Sequence, residues 1–288
     1  MRAVFRHEVS SYFTNVTGYV FGAFLLLFAG IYTMAYNLRS GYTNFEYVLG
    51  SMSFVFLVIV PILTMKVIAE EKRQKTDQLL YSLPLSMTRV VLGKYLALLV
   101  VFAVPMLIVC IYPIVLGAFG SVYLPAAYSA VFGFYLLGAA LIAIGMFISS
   151  ITESQAVAAG LCFVVMLLNY FITSLASYAS TTAASSLLAF TVLVLVIGGV
   201  FRLMTRSGFA SVVLMLILEG LLLVGFLLDS SAYEGLFPEI MEQLSLFDRF
   251  YDFVYGIFDL GSVVYFLTVI GVCLFLSVQS LEKRRWSE

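Results

Sequence analysis

Histidine occurs once in this chain, at His7, so no histidine-based catalytic triad or metal cluster can form within one copy. Cysteine is almost as scarce. Cys110, Cys162 and Cys273 lie far apart inside apolar segments with no C-x-x-C spacing, which reads as three small buried hydrophobes and no metal site. The phosphate-gripping pattern G-x-x-x-x-G-K-[ST] is missing too: Gly93-Lys94 is followed by Tyr95 and has no glycine five residues earlier. ATP hydrolysis and a resident cofactor are therefore not expected in this chain. Charge is sparse, at 11% of residues, where soluble domains carry about 25%. The net charge of −1 is no footprint for nucleic acid.

What the chain has is hydrophobicity: 62% of its residues are apolar and its mean hydropathy is +1.08. The fold class is all-α, a polytopic membrane helix bundle forming a single membrane domain. Apolar runs fall near Val16–Tyr36, Tyr47–Ile68, Tyr95–Leu116, Ala126–Ile148 and Ala156–Tyr178. Further runs fall near Leu187–Phe201, Phe209–Leu228 and Leu260–Ser280, eight in all, the Leu187–Phe201 run being short for a bilayer. Pro61 is expected to kink the second run, and Gly133, Gly138 and Gly145 to let the fourth approach its neighbours closely. With eight spans both termini are cytoplasmic, and only Arg39 and Arg249 fall outside among the arginines and lysines. The N-terminus shows no small-x-small site after a short apolar core, so it does not read as a cleavable signal.

Four segments outside the main spans stand out. In residues 2–15, Phe5, Val9, Tyr12 and Phe13 share a helical face, which reads as an interfacial helix or else an irregular leader. Residues 180–228 read as an inserted two-span hairpin. Residues 229–259 read as extracytoplasmic amphipathic helices. Their apolar stripe is Ile240, Leu244, Phe247, Tyr251, Val254, Tyr255 and Phe258, opposite Glu239, Glu242, Asp248 and Asp252. This stripe could serve as an outer gate, as a platform for an extracytoplasmic or membrane-anchored accessory protein, or simply as a solvated linker. Glu219 is the only ionisable group in mid-span, and Asn169 lies inside the fifth run. They are substrate-path candidates, or groups hydrogen-bonded at helix contacts.

The fourth segment is the one long charged loop, EEKRQKTDQLLYSLPLSMTRVVLGKYLA over residues 70–97. Its first part can form a helix with a Glu71–Lys75 pair, an apolar end at Leu79, Leu80 and Leu83, and a stop at Pro84. Exposed leucines need something to bury them, either the chain's own membrane domain or a soluble partner.

Glu70-Glu71-Lys72-Arg73, Thr76, Leu79-Leu80, Leu83-Pro84, Ser86 and Gly93-Lys94 resemble the permease subunits of type-2 ABC exporters, nearest to the gliding-motility-associated branch. Ser149–Gln155, between the fourth and fifth runs, resembles a second cytoplasmic contact of that family. The stretch from Leu244 to the basic tail at Arg284-Arg285-Trp286 resembles its outer helix and last span. The resemblance implies that 70–84 is a cytoplasmic coupling helix seated in a separate ATPase, which binds ATP and magnesium. Carried over residue by residue, the docking set is Glu70, Glu71, Arg73, Thr76, Asp77, Leu79, Leu80 and Leu83, with Thr152 and Glu153. The chain departs from the family pattern at Lys75, where glycine is common, and at Gln78, where glutamate is common.

The function implied is the membrane subunit of an ATP-driven exporter, with two ATPase copies and a second permease copy or a related permease. A mechanotransmitter acting on a cell-envelope partner, and an ion-coupled secondary transporter using Glu219, are the alternatives.

Overall fold

The computed structural model describes residues 2–76, 86–205 and 208–287. Every regular element among them is helical. In chain order these are α1 (Arg2–Thr14), α2 (Val16–Thr33, prolonged by a π-helical turn Met34–Arg39), α3 (Glu46–Met52), α4 (Phe56–Thr64) and α5 (Ala69–Gln74). Then come α6 (Met87–Val109), α7 (Tyr112–Gly117), α8 (Leu124–Ile151), α9 (Gln155–Tyr178) and α10 (Ala183–Thr205). The last four are α11 (Gly208–Leu228), α12 (Leu236–Gln243), α13 (Leu246–Val254) and α14 (Leu260–Ser287).

Among the described residues, 7 segments are long and apolar enough to cross a membrane: Val16–Arg39, Glu46–Gln74, Met87–Gly117, Leu124–Ile151, Gln155–Tyr178, Ser211–Leu228 and Leu260–Arg285. The chain is thus a multi-pass membrane protein. The short run of the sequence appears as Ala183–Leu195, a shorter apolar stretch within α10.

The chain divides into two compact units, Met1–Leu168 with Leu246–Glu288, and Asn169–Ser245. In the first unit α8 is the central helix, in contact with α3, α4, α6, α13 and α14. Its glycines explain how. A Cβ at Gly133 would lie 2.7 Å from the Phe253 ring, one at Gly138 2.5 Å from Phe102, and one at Gly145 2.3 Å from Thr64 Oγ1. The missing side chains let neighbouring elements press against the α8 backbone, which substitutes for a hydrophobic driving force in lipid. Around this contact Phe56, Phe102, Phe134 and Phe250 form a connected aromatic core, with ring centroids 4.4 Å apart for Phe56–Phe134 and 5.7 Å apart for Phe56–Phe102 and Phe134–Phe250.

The second span differs from its expected form. Pro61 sits inside α4, and Met65 N–H still donates to its carbonyl at 2.9 Å. The helix breaks on either side instead, at a 3-10 turn over Ser53–Val55 and at a turn over residues 65–68. The second break has a tertiary cause described below.

Helix α13 does not lie free on a surface. Leu246, Phe247, Phe250, Phe253 and Val254 are buried within the first unit, and Tyr251 Oη donates to Gly50 O at 3.3 Å. Helix α14 then opens on Asp259, whose carboxylate accepts the Gly261 and Ser262 N–H groups at 3.0 and 2.7 Å. The Ser262 hydroxyl, followed by these amides, holds the Asp259 carboxyl below its ordinary value.

The second unit is built on α10 and α11. Gly198 faces Met215, where a Cβ would come within 2.2 Å, and Ser211 Oγ donates to Gly198 O at 2.6 Å. One end is closed by aromatic edges: Tyr233 meets Phe190 and Phe226, and Phe237 meets Phe190.

Gly138→Ala and Gly145→Ala are each expected to destabilise the purified protein by about 1–3 kcal/mol, from forcing packed elements apart. Gly160, which has open space around it, serves as the control: its change to alanine should leave the melting temperature equal or slightly higher. Thermal unfolding in detergent measures all three.

Candidate functional site

The charged loop leaves the membrane domain through α5, and this short helix is fastened at both ends. A helix begins with backbone N–H groups that have no partner of their own. Here Ser149 Oγ, from the last turn of α8, accepts Ile68 N–H at 3.2 Å and Ala69 N–H at 3.0 Å, and donates to Met65 O at 3.4 Å. That single hydroxyl takes up the amides of Ile68 and Ala69 at the start of α5 and so holds the break between α4 and α5. The last turn of α8 leaves free carbonyls in the same way. Ser150 O accepts the buried Lys72 ammonium and the Ser280 hydroxyl, the latter at 2.9 Å. A cation at a helix C-terminus is also favoured by the helix dipole.

Lys94 lies one turn inside the apolar part of α6 and is only 2% exposed. An ammonium carries three N–H donors, and a buried one must fill them. Nζ meets Glu8 Oε1 and Glu71 Oε1 at 2.6 Å each, and Val67 O at 3.1 Å. Val67 lies in the non-helical turn at 65–68. Three elements therefore meet on one charge: α1 through Glu8, the base of the charged loop through Glu71 and Val67, and α6 through Lys94. Beside them Tyr12 Oη donates to Leu63 O at 3.3 Å. Burial, then the carboxylates of Glu8, Glu70 and Glu71, pushes the Tyr12 hydroxyl well above its ordinary value, so it remains a donor.

Residues 70–73 thus divide by direction. Glu71 and Lys72 turn inward. Arg73 is exposed, and Glu70 is half-buried with its carboxylate accepting Gln74 Nε2 at 3.1 Å. The helix stops at Lys75, which takes a left-handed conformation at φ 56, the only non-glycine residue to do so among those described. Lys75 N–H returns to Lys72 O at 3.2 Å and Thr76 N–H to Glu71 O at 3.0 Å, the paired bonds of a Schellman ending. The Glu71 carboxylate expected to pair along the helix with Lys75 reaches across to Lys94.

Thr76 is exposed just past this ending, and its hydroxyl also bonds Glu71 O at 3.3 Å. Asp77, Leu79, Leu80 and Leu83 lie outside the described residues. Thr152 and Glu153 follow directly on α8. Thr152 Oγ1 donates to Ile148 O at 3.1 Å, and exposed Glu153 pairs with Arg284 of α14 at 2.8 Å. Because Lys72 is bound to Ser150 O, α5 and the turn after α8 sit side by side. In the second unit Glu219 Oε2 accepts Thr191 Oγ1 at 3.3 Å, while its buried Oε1 has no hydrogen-bond partner among the described residues. Asn169 donates to Leu244 O at 3.0 Å.

Glu8, Lys94, Lys72, Ser149 and Ser280 were not singled out by sequence as parts of a shared site. Lys94 carried a usable signal: a lysine one turn inside an apolar span requires a carboxylate partner.

These features define a membrane protein with a charged loop braced against its helix ends. Among the described residues no group of three or more His, Cys, Asp or Glu is placed to hold a metal. The family model described as "ABC-2 family transporter protein" matches residues 10–278, and the chain belongs to that family. No curated protein matches it. It is a membrane permease of an ABC-2 type transporter. Permeases of this family are non-catalytic and cofactor-free, and a separate ATPase partner hydrolyses ATP.

Lys75 occupies a backbone conformation that glycine adopts without steric cost. Lys75→Gly is expected to stabilise the loop base by about 1 kcal/mol, whereas Gln74→Gly, inside the helix, should destabilise it by about 0.5–1 kcal/mol. Local hydrogen exchange of residues 69–76 distinguishes the two.

Proposed function

We propose that this permease is an exporter subunit driven from the cytoplasm through residues 70–84. In this reading Glu70, Arg73, Thr76, Asp77, Leu79, Leu80 and Leu83 dock on the ATPase, with Thr152 and Glu153 as a second contact and Glu71 acting from the loop base. The observation that carries it is the Lys72–Ser150 bond, which holds α5 beside the turn bearing Thr152 and Glu153. Residues 70–76 and the turn bearing Thr152 and Glu153, both read as docking elements from the resemblance, are neighbours, which supports this reading. A force applied to either reaches α8, and through its glycine contacts α4, α6 and α13.

The finer reading has eight spans, with 180–228 as an added hairpin and both termini cytoplasmic. Two permease copies, or one with a related permease, work with two ATPase copies, and residues 229–259 face an outer accessory partner. The nearest branch is the gliding-motility-associated one. Glu219 is the stronger substrate-path candidate in this reading, since one buried carboxylate oxygen has no hydrogen-bond partner among the described residues. Asn169 is the weaker candidate, its amide being engaged by Leu244 O.

The test is co-purification with the ATPase partner. Leu79→Asp combined with Leu80→Asp should reduce the retained ATPase by tenfold or more, at about 1.4 kcal/mol per factor of ten. Retention unchanged from wild type contradicts the docking role.

A further inference from the structure

The inward face of α1 is accounted for by Glu8 and Tyr12. Its outward face is not. Arg2, Arg6 and His7 are exposed, line a shallow groove with Ser10 and Thr14, and make no ion pair among the described residues. The one acid of the helix, Glu8, is turned inward to Lys94. A cationic face without a counter-charge of its own is therefore left open.

The arrangement along that face is directional. Arg2, Arg6, Val9 and Phe13 follow one helical ridge at spacings of four, three and four residues. The Arg2 end is cationic and the Phe13 end is apolar. Phe13 and Val9 are half-buried, and the Phe13 ring meets exposed Tyr19 of α2 edge-on with centroids 6.0 Å apart. Only Asn15 separates α1 from α2, a membrane span. The apolar end of the ridge is thus tied to the bilayer boundary, and the arginines stand about 10–16 Å along the helix from it, at 1.5 Å per residue.

We infer that α1 is a binding site for an anionic phospholipid, with acyl chain on Phe13, Val9 and Tyr19 and phosphate on Arg6 and Arg2, and that Glu8–Lys94–Glu71 carries its occupancy to the loop base. An amphipathic basic helix at a bilayer surface attracts anionic headgroups by this chemistry. What is particular here is the opposite face: Glu8 shares the Lys94 ammonium with Glu71, so fixing α1 at the membrane fixes α5. The consequence for transport rests on the docking role proposed above. The lipid site and its effect on α5 are measured on the permease alone, so the two proposals can fail separately.

The experiment uses the full chain in nanodiscs. Trp286 is the single tryptophan, so Trp286→Phe with Phe13→Trp gives a local reporter. Brominated phosphatidylglycerol and brominated phosphatidylcholine are compared as quenchers. Preference for the anionic lipid is expected at about fivefold for each arginine. Arg2→Gln with Arg6→Gln should bring it to near parity, and added inorganic phosphate should not compete. In wild type, phosphatidylglycerol should slow hydrogen exchange over residues 69–76. Lys94→Met, or the milder Glu8→Ala, should remove that slowing while leaving the lipid preference intact. Equal quenching by both lipids, a preference that survives loss of both arginines, or competition by free phosphate overturns the lipid site. Lipid preference without any change at 69–76 overturns the relay.

Discussion

One buried ammonium organises the end of this permease from which the charged loop leaves. Lys94 is almost wholly buried, so its charge depends on Glu8, Glu71 and Val67 O surrounding it. Those partners come from the N-terminal helix and from the start of the charged loop, and the lysine itself comes from the span that follows the loop. The loop thus leaves and re-enters the membrane domain at points bound to each other. Releasing any one partner leaves charge in a poorly solvated place. This gives the three elements a strong physical reason to move together.

The second constraint is supplied by helix ends. Helix α8 terminates beside α5, and its last residues take up what α5 leaves unmatched: Ser149 receives the first amides, and Ser150 O receives Lys72. Further along, α8 carries the glycines against which Thr64, Phe102 and Phe253 press. In the proposed docking role, a displacement at the loop base would pass through close-packed contacts with little slack, as a non-catalytic permease with a separate ATPase requires.

Much of this was legible in the residues. Apolar runs marked the spans, because every backbone polar group in lipid must be satisfied within a helix. The charged loop was recognisable by composition and by its Glu-Glu-Lys-Arg start. What composition could not give was direction. Glu71 and Lys72 face inward only because Lys94 and Ser150 wait there, and those are contacts between distant parts of the chain. The stripe read from Ile240 to Phe258 falls on two helices, with the break between Gln243 and Leu246. Phe247 and Val254 of that stripe are buried, and the buried ridge of α13 also takes in Phe250 and Phe253, which the stripe left out. The departure from glycine at Lys75, visible in sequence as an oddity, proved to sit at the one left-handed non-glycine position described.

The claim on which the account depends is that Lys94 and Glu71 are energetically coupled. A double-mutant cycle with Lys94→Met, Glu71→Gln and the combined variant, read by unfolding of the purified full-length protein, measures that coupling. The account requires an interaction energy of about 1–3 kcal/mol, the double variant being less damaged than the sum of the single ones. Additivity to within about 0.5 kcal/mol would contradict it.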